Sequence, residues 1–171
     1  MTENRIERKK TGIIWLLLML VWMAVIFSFS AREADESAAM SHSVGRAIGS
    51  LVIPEYRSWS EDKQEQFAEK IDFPVRKCAH ASEYAVLGVL ILGTAYSFWK
   101  DQGKKRVFQC WCAGTIYAAT DEIHQLFVPG RSCQLRDVCI DSAGVLTGIL
   151  LFSLIKHQIA KHKEKKKTCK N

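Results

Sequence analysis

Eight side chains that can carry charge lie within, or at the edge of, stretches otherwise apolar enough to cross a bilayer. Lys77, His80 and Glu83 fall in one stretch, Asp121, Glu122 and His124 in a second, and Asp137 and Asp141 in a third. A charged residue near the middle of a bilayer helix costs about 2.5–3.5 kcal/mol on insertion scales. Such residues therefore pair with one another or line a water-accessible site. Internal ion pairing would fix helix register, with Arg131–Asp137 as one candidate pair. An outward-facing pocket for a polar or phosphorylated headgroup would instead use Arg76, Lys77 and Arg131 as anion contacts. Arginine suits that role because its planar fork binds phosphate through paired, charge-assisted hydrogen bonds. A third chemistry is metal binding, because His80-x-x-Glu83 and Asp121-x-x-His124 each place two ligand types on one helical face. The adjacent cations oppose a divalent ion, and no metal or other cofactor is expected.

Depth and helical phase bring these residues together. At about 1.5 Å per residue, His80 lies roughly 9 Å and Glu83 roughly 13 Å beyond Pro74. On the same scale Asp121 lies about 10 Å and His124 about 6 Å before Val128, and Asp141 about 6 Å beyond Asp137. Three helices thus place charge in one layer. Arg76, Lys77, His80, Glu83, Tyr84 and Leu87 form one stripe of the first helix, and Gly114, Tyr117, Asp121, His124 and Gln125 one stripe of the second. Glu122 points to one side of that stripe. Asp137, Asp141, Gly144 and Gly148 align on the third helix, where the glycine pair permits a close helix contact.

The elements that must carry these residues are four apolar runs, at about residues 12–30, 78–99, 107–128 and 138–155. The mean hydropathy is close to zero because charge and apolarity are segregated along the chain. With 171 residues there is room for only one sizeable connection, so the expected fold is a single all-α membrane bundle of four spans. Residues 1–11 form a basic amino-terminal end, 12–155 the membrane domain and 156–171 a basic tail. The first run follows Arg5, Arg8, Lys9 and Lys10, as a secretion signal would. It is too long for a signal core and lacks a convincing cleavage site, so it is read as a retained span.

Residues 31–77 form an outer segment. Met40, Val44, Ile48, Leu51 and Val52 recur at helical spacing, predicting an amphipathic helix over 37–52 that lies on the bilayer or on the bundle. Ile53-Pro54 ends it. A capping-box pattern, Ser58-x-x-Glu61, predicts a short helix to about Lys70 with Phe67 and Ile71 facing inward. Asp72-Phe73-Pro74 then opens the second span, since proline suits a first helical turn. The tail from 161 to 171 is expected to be disordered.

The net charge of +6 comes from lysines and arginines at the two ends and in the 100–106 loop. By the positive-inside rule both termini and that loop are cytoplasmic, and 31–77 and 129–136 face outward. Trp99 and Trp111 bracket the cytoplasmic loop as interfacial residues would. This bias and attraction to anionic lipids account for the charge without nucleic acid. Six cysteines lack metal-like spacing, and among them Cys78, Cys133 and Cys139 lie where oxidation is possible.

Four motifs carry a family resemblance. They are Phe27-Ser28-Phe29-Ser30, Lys77-x-x-His80-x-x-Glu83-Tyr84-x-x-Leu87-Gly88, Asp121-Glu122-x-His124-Gln125-x-Phe127-x-Pro129-Gly130-Arg131, and Asp137-x-x-x-Asp141-x-x-Gly144. Together they resemble the VanZ-like membrane proteins over about residues 12–155. Asp141 departs from the pattern, in which asparagine is more usual, and adds a negative charge beside Asp137. The resemblance implies a multi-pass protein of the bacterial cytoplasmic membrane. Its namesake is associated with resistance to the glycopeptide antibiotic teicoplanin, which acts on cell-wall precursors outside the membrane. Three functions stay open: binding or shielding a lipid-linked headgroup or glycopeptide at the outer leaflet, catalysis on a lipid-linked phosphate or glycan, or a purely structural network. In the catalytic case Glu83 or Asp121 would be the base and His80 or His124 the acid. No phosphate loop, nucleophile elbow or zinc-protease motif supports a particular reaction.

Overall fold

A computed structural model describes residues 2–99 and 103–168. Lys100 of the predicted loop, and Cys169 and Lys170 of the tail, lie outside the described residues. Among the described residues all regular structure is helical: α1 (Thr2–Ser30), α2 (Ala34–Val52), a 3-10 turn (Tyr56–Ser58), α3 (Glu61–Phe98), α4 (Lys104–Gln125) and α5 (Leu135–Thr168). Three helices, α1, α3 and α5, are long and apolar enough to cross a membrane. By the same measure α4 is not, because Lys104, Lys105 and Arg106 open it and Asp121 and Glu122 lie near its end.

The break expected between residues 70 and 74 is absent. One continuous helix of 38 residues carries Pro74 in its interior. Proline disfavours the helix before it and removes the amide that would bond the Lys70 carbonyl. Here an ion pair crosses the proline at i,i+4 spacing, Arg76 Nη2 to Asp72 Oδ2 at 2.6 Å. Ser41 of α2 also donates a short hydrogen bond to Asp72, tying this stretch to its neighbour. The capping box is not formed either: Ser58 lies in the 3-10 turn and Ser60 is the N-cap. At 1.5 Å per residue α3 is about 57 Å long, against about 30 Å of hydrocarbon. Its first turns therefore extend past an apolar layer and pack on α2. Helix α5 runs to Thr168, so the tail beginning at 161 is helical as far as that residue. Residues 156–168 contain no glycine or proline, and lysines are favourable at a helix C-terminus.

Helix α2 turns its polar and small face inward. Ser41, Gly45 and Gly49 are buried, with Gly45 against Ala68 and Ile71 and Gly49 against Tyr56. Leu51 and Val52 point away from the bundle, while Met40, Val44 and Ile48 are part-exposed along a groove beside α1 and α3. The expected apolar stripe therefore exists, lining that groove and continuing onto the exposed surface. Tyr56, Trp59 and Phe67 form a small aromatic cluster beneath α2, with Tyr56–Phe67 centroids 5.5 Å apart.

The main core joins Ile26, Tyr84, Leu87, Leu92, Cys110, Ala118, Val145 and Ile149. Its tightest seam lies between α3 and α5. A Cβ at Gly88 would collide with the Val145 carbonyl oxygen, one at Gly144 with that of Ala81, and one at Gly148 with that of Ala85. The glycine pair thus makes the close approach its spacing predicts. At the far end Arg8 donates to the carbonyls of Ser97, Tyr96 and Trp99 at 3.1 Å each. Arg106 and Lys156 lie over the Tyr96 ring, so basic residues of α1, α4 and α5 meet there. The Trp111 indole N–H donates at 3.0 Å to the Ser142 hydroxyl and ties α4 to α5. Five described cysteines, including Cys78, Cys133 and Cys139, are free thiols.

The seam makes a direct prediction. Gly148→Leu should lower the thermal midpoint in detergent and the membrane protein level, at a cost of about 1–3 kcal/mol or more for overpacking. Thr147→Ala at the exposed neighbouring position should leave both unchanged, and equal behaviour of the two variants would exclude the seam as a stability determinant.

Candidate functional site

The site is built at the end of the α3–α5 seam where α2 and the 126–134 loop also arrive. Locally the loop is decided by Val128-Pro129-Gly130-Arg131. Proline presets the second position of a turn, and Gly130 takes a φ of +72°. The Arg131 amide donates to the Val128 carbonyl at 3.1 Å, closing a type II turn. The Ala34 amide donates to the Pro129 carbonyl at 3.3 Å, which seats the turn on the start of α2. Arg131 is thereby directed back toward the bundle.

Behind it lies a polar cavity of about 220 Å³. Of the twelve residues expected at the site, eight line it: Arg76, Lys77, His80, Glu122, Gln125, Arg131, Asp137 and Asp141. Lys77 Nζ donates to Asp137 Oδ2 at 2.6 Å, so Lys77 rather than Arg131 is the close ion-pair partner of Asp137. Arg136 Nε approaches the other oxygen of Asp137 at 3.8 Å. Arg131 Nη1 donates to the Ser37 hydroxyl at 3.3 Å, and its Nε is buried with no partner among the described residues. Burial first, and the neighbouring Arg76 second, pull the Arg131 pKa below its ordinary value. A guanidinium stays charged regardless, so this residue is a cation short of compensation.

Glu122 does not point away from the site. It is 2% exposed, and its carboxylate accepts the Gln134 amide at 2.8 Å. Helical phase sets it to one side of the Asp121 stripe, and the loop folds back over that flank of α4. Asp141 is 3% exposed. Asp141 Oδ1, Asp137 Oδ1 and His80 Nδ1 are all buried without hydrogen-bond partners among the described residues.

The other four expected residues lie elsewhere. Tyr84 is fully buried and donates to Asp121 Oδ2 at 3.3 Å in the core below the cavity. His124 stacks on Phe27 of α1, with ring centroids 4.4 Å apart. Glu83 faces a second, largely apolar cavity of about 490 Å³, walled by Phe29, Met40, Val44, Ile48, Val75 and Ala79. Arg76, His80 and Arg131 line both cavities and form the boundary between them. Of the two pairs considered for metal binding or acid–base work, His80 and Glu83 both line the second cavity, whereas Asp121 and His124 line neither. Among the described residues no three His, Cys, Asp or Glu side chains gather as a ligand set. Residues with no sequence signal also take part, chiefly Gln134 through its backbone, and Ser41 and Asp72, which hold Arg76. Gln125, whose amide donates to Ser30 at 2.9 Å, anchors α1 to the same wall.

A family model described as VanZ/LLP1 matches residues 15–156. The chain belongs to the VanZ/LLP1 family. The match takes in every residue of both cavities and stops where α5 turns basic. With helices apolar enough to span a bilayer, this marks a membrane protein. No curated protein and no solved structure matches the chain.

For this VanZ/LLP1 protein the Lys77–Asp137 pair gives a test of how far the network is structural. Lys77→Met should destabilise by about 1–3 kcal/mol by stranding a half-buried carboxylate. Adding Asp137→Asn should recover much of the loss. A double variant as unstable as the sum of two single losses would show that the pair is not coupled.

Proposed function

We propose that this protein binds, and so shields, a lipid-linked headgroup at the outer leaflet of the bacterial cytoplasmic membrane. The observation that carries this reading is the shared wall of the two cavities. A polar chamber and an apolar groove meet at Arg76, His80 and Arg131, the arrangement that an amphiphile requires. A phosphate at Arg131 would supply the acceptor its buried Nε lacks. The attached chain would lie in the groove along Met40, Val44 and Ile48 of α2. His80 and Asp137, with Glu122 and Gln125, would orient the headgroup.

The same reading has four spans, with α4 as the third. Its charges are confined to its two ends, and Phe108, Ile116 and Ile123 point outward between them. Arg8, Arg106 and Lys156 at one end support a cytoplasmic location for that end and for both termini. The membrane domain would then run over residues 12–155, with a basic segment on either side. A role in glycopeptide (teicoplanin) response rests on family membership and on the outer-side position that this topology would give the cavity. Catalysis on a lipid phosphate or glycan is the weaker reading, because Glu83, Asp121 and His124 are apart from the polar chamber.

Reporter fusions at Lys104 and Ser132 should report opposite compartments; the same compartment for both would overturn the four-span topology. Binding is tested on the full chain in mixed micelles, with phospholipid competing against diacylglycerol that lacks phosphate. Phospholipid should win, and Arg131→Gln should weaken it by about 10–100-fold, the equivalent of one lost charge-assisted contact. Because Arg131 is in a loop, the thermal midpoint should barely move. Equal competition by diacylglycerol, or no effect of Arg131→Gln, would overturn the headgroup reading. Comparing teicoplanin susceptibility in cells with and without the gene checks the physiological link.

A further inference from the structure

We infer that the headgroup taken by this site is zwitterionic, an aminoalkyl phosphate whose phosphate meets Arg131 and whose ammonium meets Asp141 and Glu122. This rests on the headgroup reading above and narrows it by charge.

The lining of the polar cavity sorts into pairs and remainders. Lys77 is paired with Asp137 at 2.6 Å, and Arg76 with Asp72 at 2.6 Å. Arg136 stands at the rim beside Asp137. Arg131 and Glu122, both against the 126–134 loop, and Asp141 on α5 have no ion-pair partner among the described residues. The cavity is thus lined by unpaired groups of both signs rather than being a cationic cup. Asp141 is 3% exposed with an oxygen that accepts no hydrogen bond among the described residues, and it lines the chamber directly. A buried, unmatched acceptor of this kind calls for a donor. An ammonium brings three donors and a positive charge, whereas a second phosphate would bring only acceptors and a repulsion.

Size agrees. A chamber of about 220 Å³ is smaller than the roughly 300–1,000 Å³ of pockets that hold drug-sized ligands. It suits a phosphate, a two-carbon link and an amine, and is too small for a disaccharide–peptide. The lipid chain leaves past Arg131 and His80 into the groove.

Competition in mixed micelles on the full chain tests the assignment. The competitors are dioleoyl phosphatidylethanolamine, its N-acetyl derivative, phosphatidylglycerol and phosphatidic acid. The ethanolamine lipid should compete at least about tenfold better than the other three, a difference of about 1.4 kcal/mol. Acetylating the amine tests the point on unaltered protein, independent of any folding defect. Asp141→Asn should erase the preference while phosphatidylglycerol binding persists. If phosphatidylglycerol or phosphatidic acid competes as well as the ethanolamine lipid, while Arg131→Gln still weakens binding, the zwitterion is overturned and the headgroup reading stands. If no phospholipid competes better than diacylglycerol, both fall together.

Discussion

Everything at the polar end depends on how closely α3 and α5 approach. In a bilayer the hydrophobic effect supplies little force between helices, and small residues that let backbones touch supply packing instead. Gly88, Gly144 and Gly148 each face a backbone carbonyl of the opposing helix at a distance no side chain would permit. Gly144 meets Ala81, the residue after His80 and one turn beyond Asp141. The seam therefore ends where the charged residues begin. It sets Lys77 within reach of Asp137 and leaves a chamber where the side chains become polar. A wider spacing would separate that ion pair and open the chamber to the apolar groove without a wall.

Two further constraints complete the geometry. The Pro129-Gly130 turn reverses the chain so that Arg131 reaches the chamber, and Gly130 supplies the positive φ this turn needs. Helix α2 then closes the side. Its inward face is Ser41, Gly45 and Gly49, so it can lie close to α3, and its outward face remains apolar. A helix with that arrangement forms one wall of a groove while presenting hydrocarbon to its surroundings. The polar bonds of its inner edge, Ser41 to Asp72 and His42 to Glu65, hold it in place.

Much of this was legible in the sequence, and the failures have identifiable causes. The apolar runs, the α2 amphipathicity, the glycine seam and the polar layer follow from periodicity. Periodicity cannot say which side of α2 packs, because glycine and serine carry no hydropathy signal yet are the residues that allow contact. It also read Pro74 as a helix start, since the salt bridge from Asp72 to Arg76 becomes visible only when both sit on one helix. His124 shares a helical stripe with Asp121, but Phe27 of α1 stacks on it and removes it from the chamber. Glu122 went the other way: it lies to one side of that stripe, and the returning loop supplies the Gln134 amide to that flank. Local spacing locates a stripe; long-range partners decide which members share a compartment.

The wall between chamber and groove follows the same division of labour. Arg76 faces both cavities but is held by Asp72, so its charge is largely spent on fixing α3 beside α2. His80 faces both and has a buried ring nitrogen without a protein partner among the described residues. Arg131 faces both with a weak hydroxyl contact and an unmatched Nε. Unmatched polar atoms on the floor and on the wall cost stability, of order 1–3 kcal/mol each if nothing meets them. A protein needing only a stable bundle gains by replacing them with apolar groups of similar volume. Their placement together on the boundary between a polar chamber and an apolar groove is the feature on which the proposed headgroup reading rests, since an amphiphile would meet both surfaces at once.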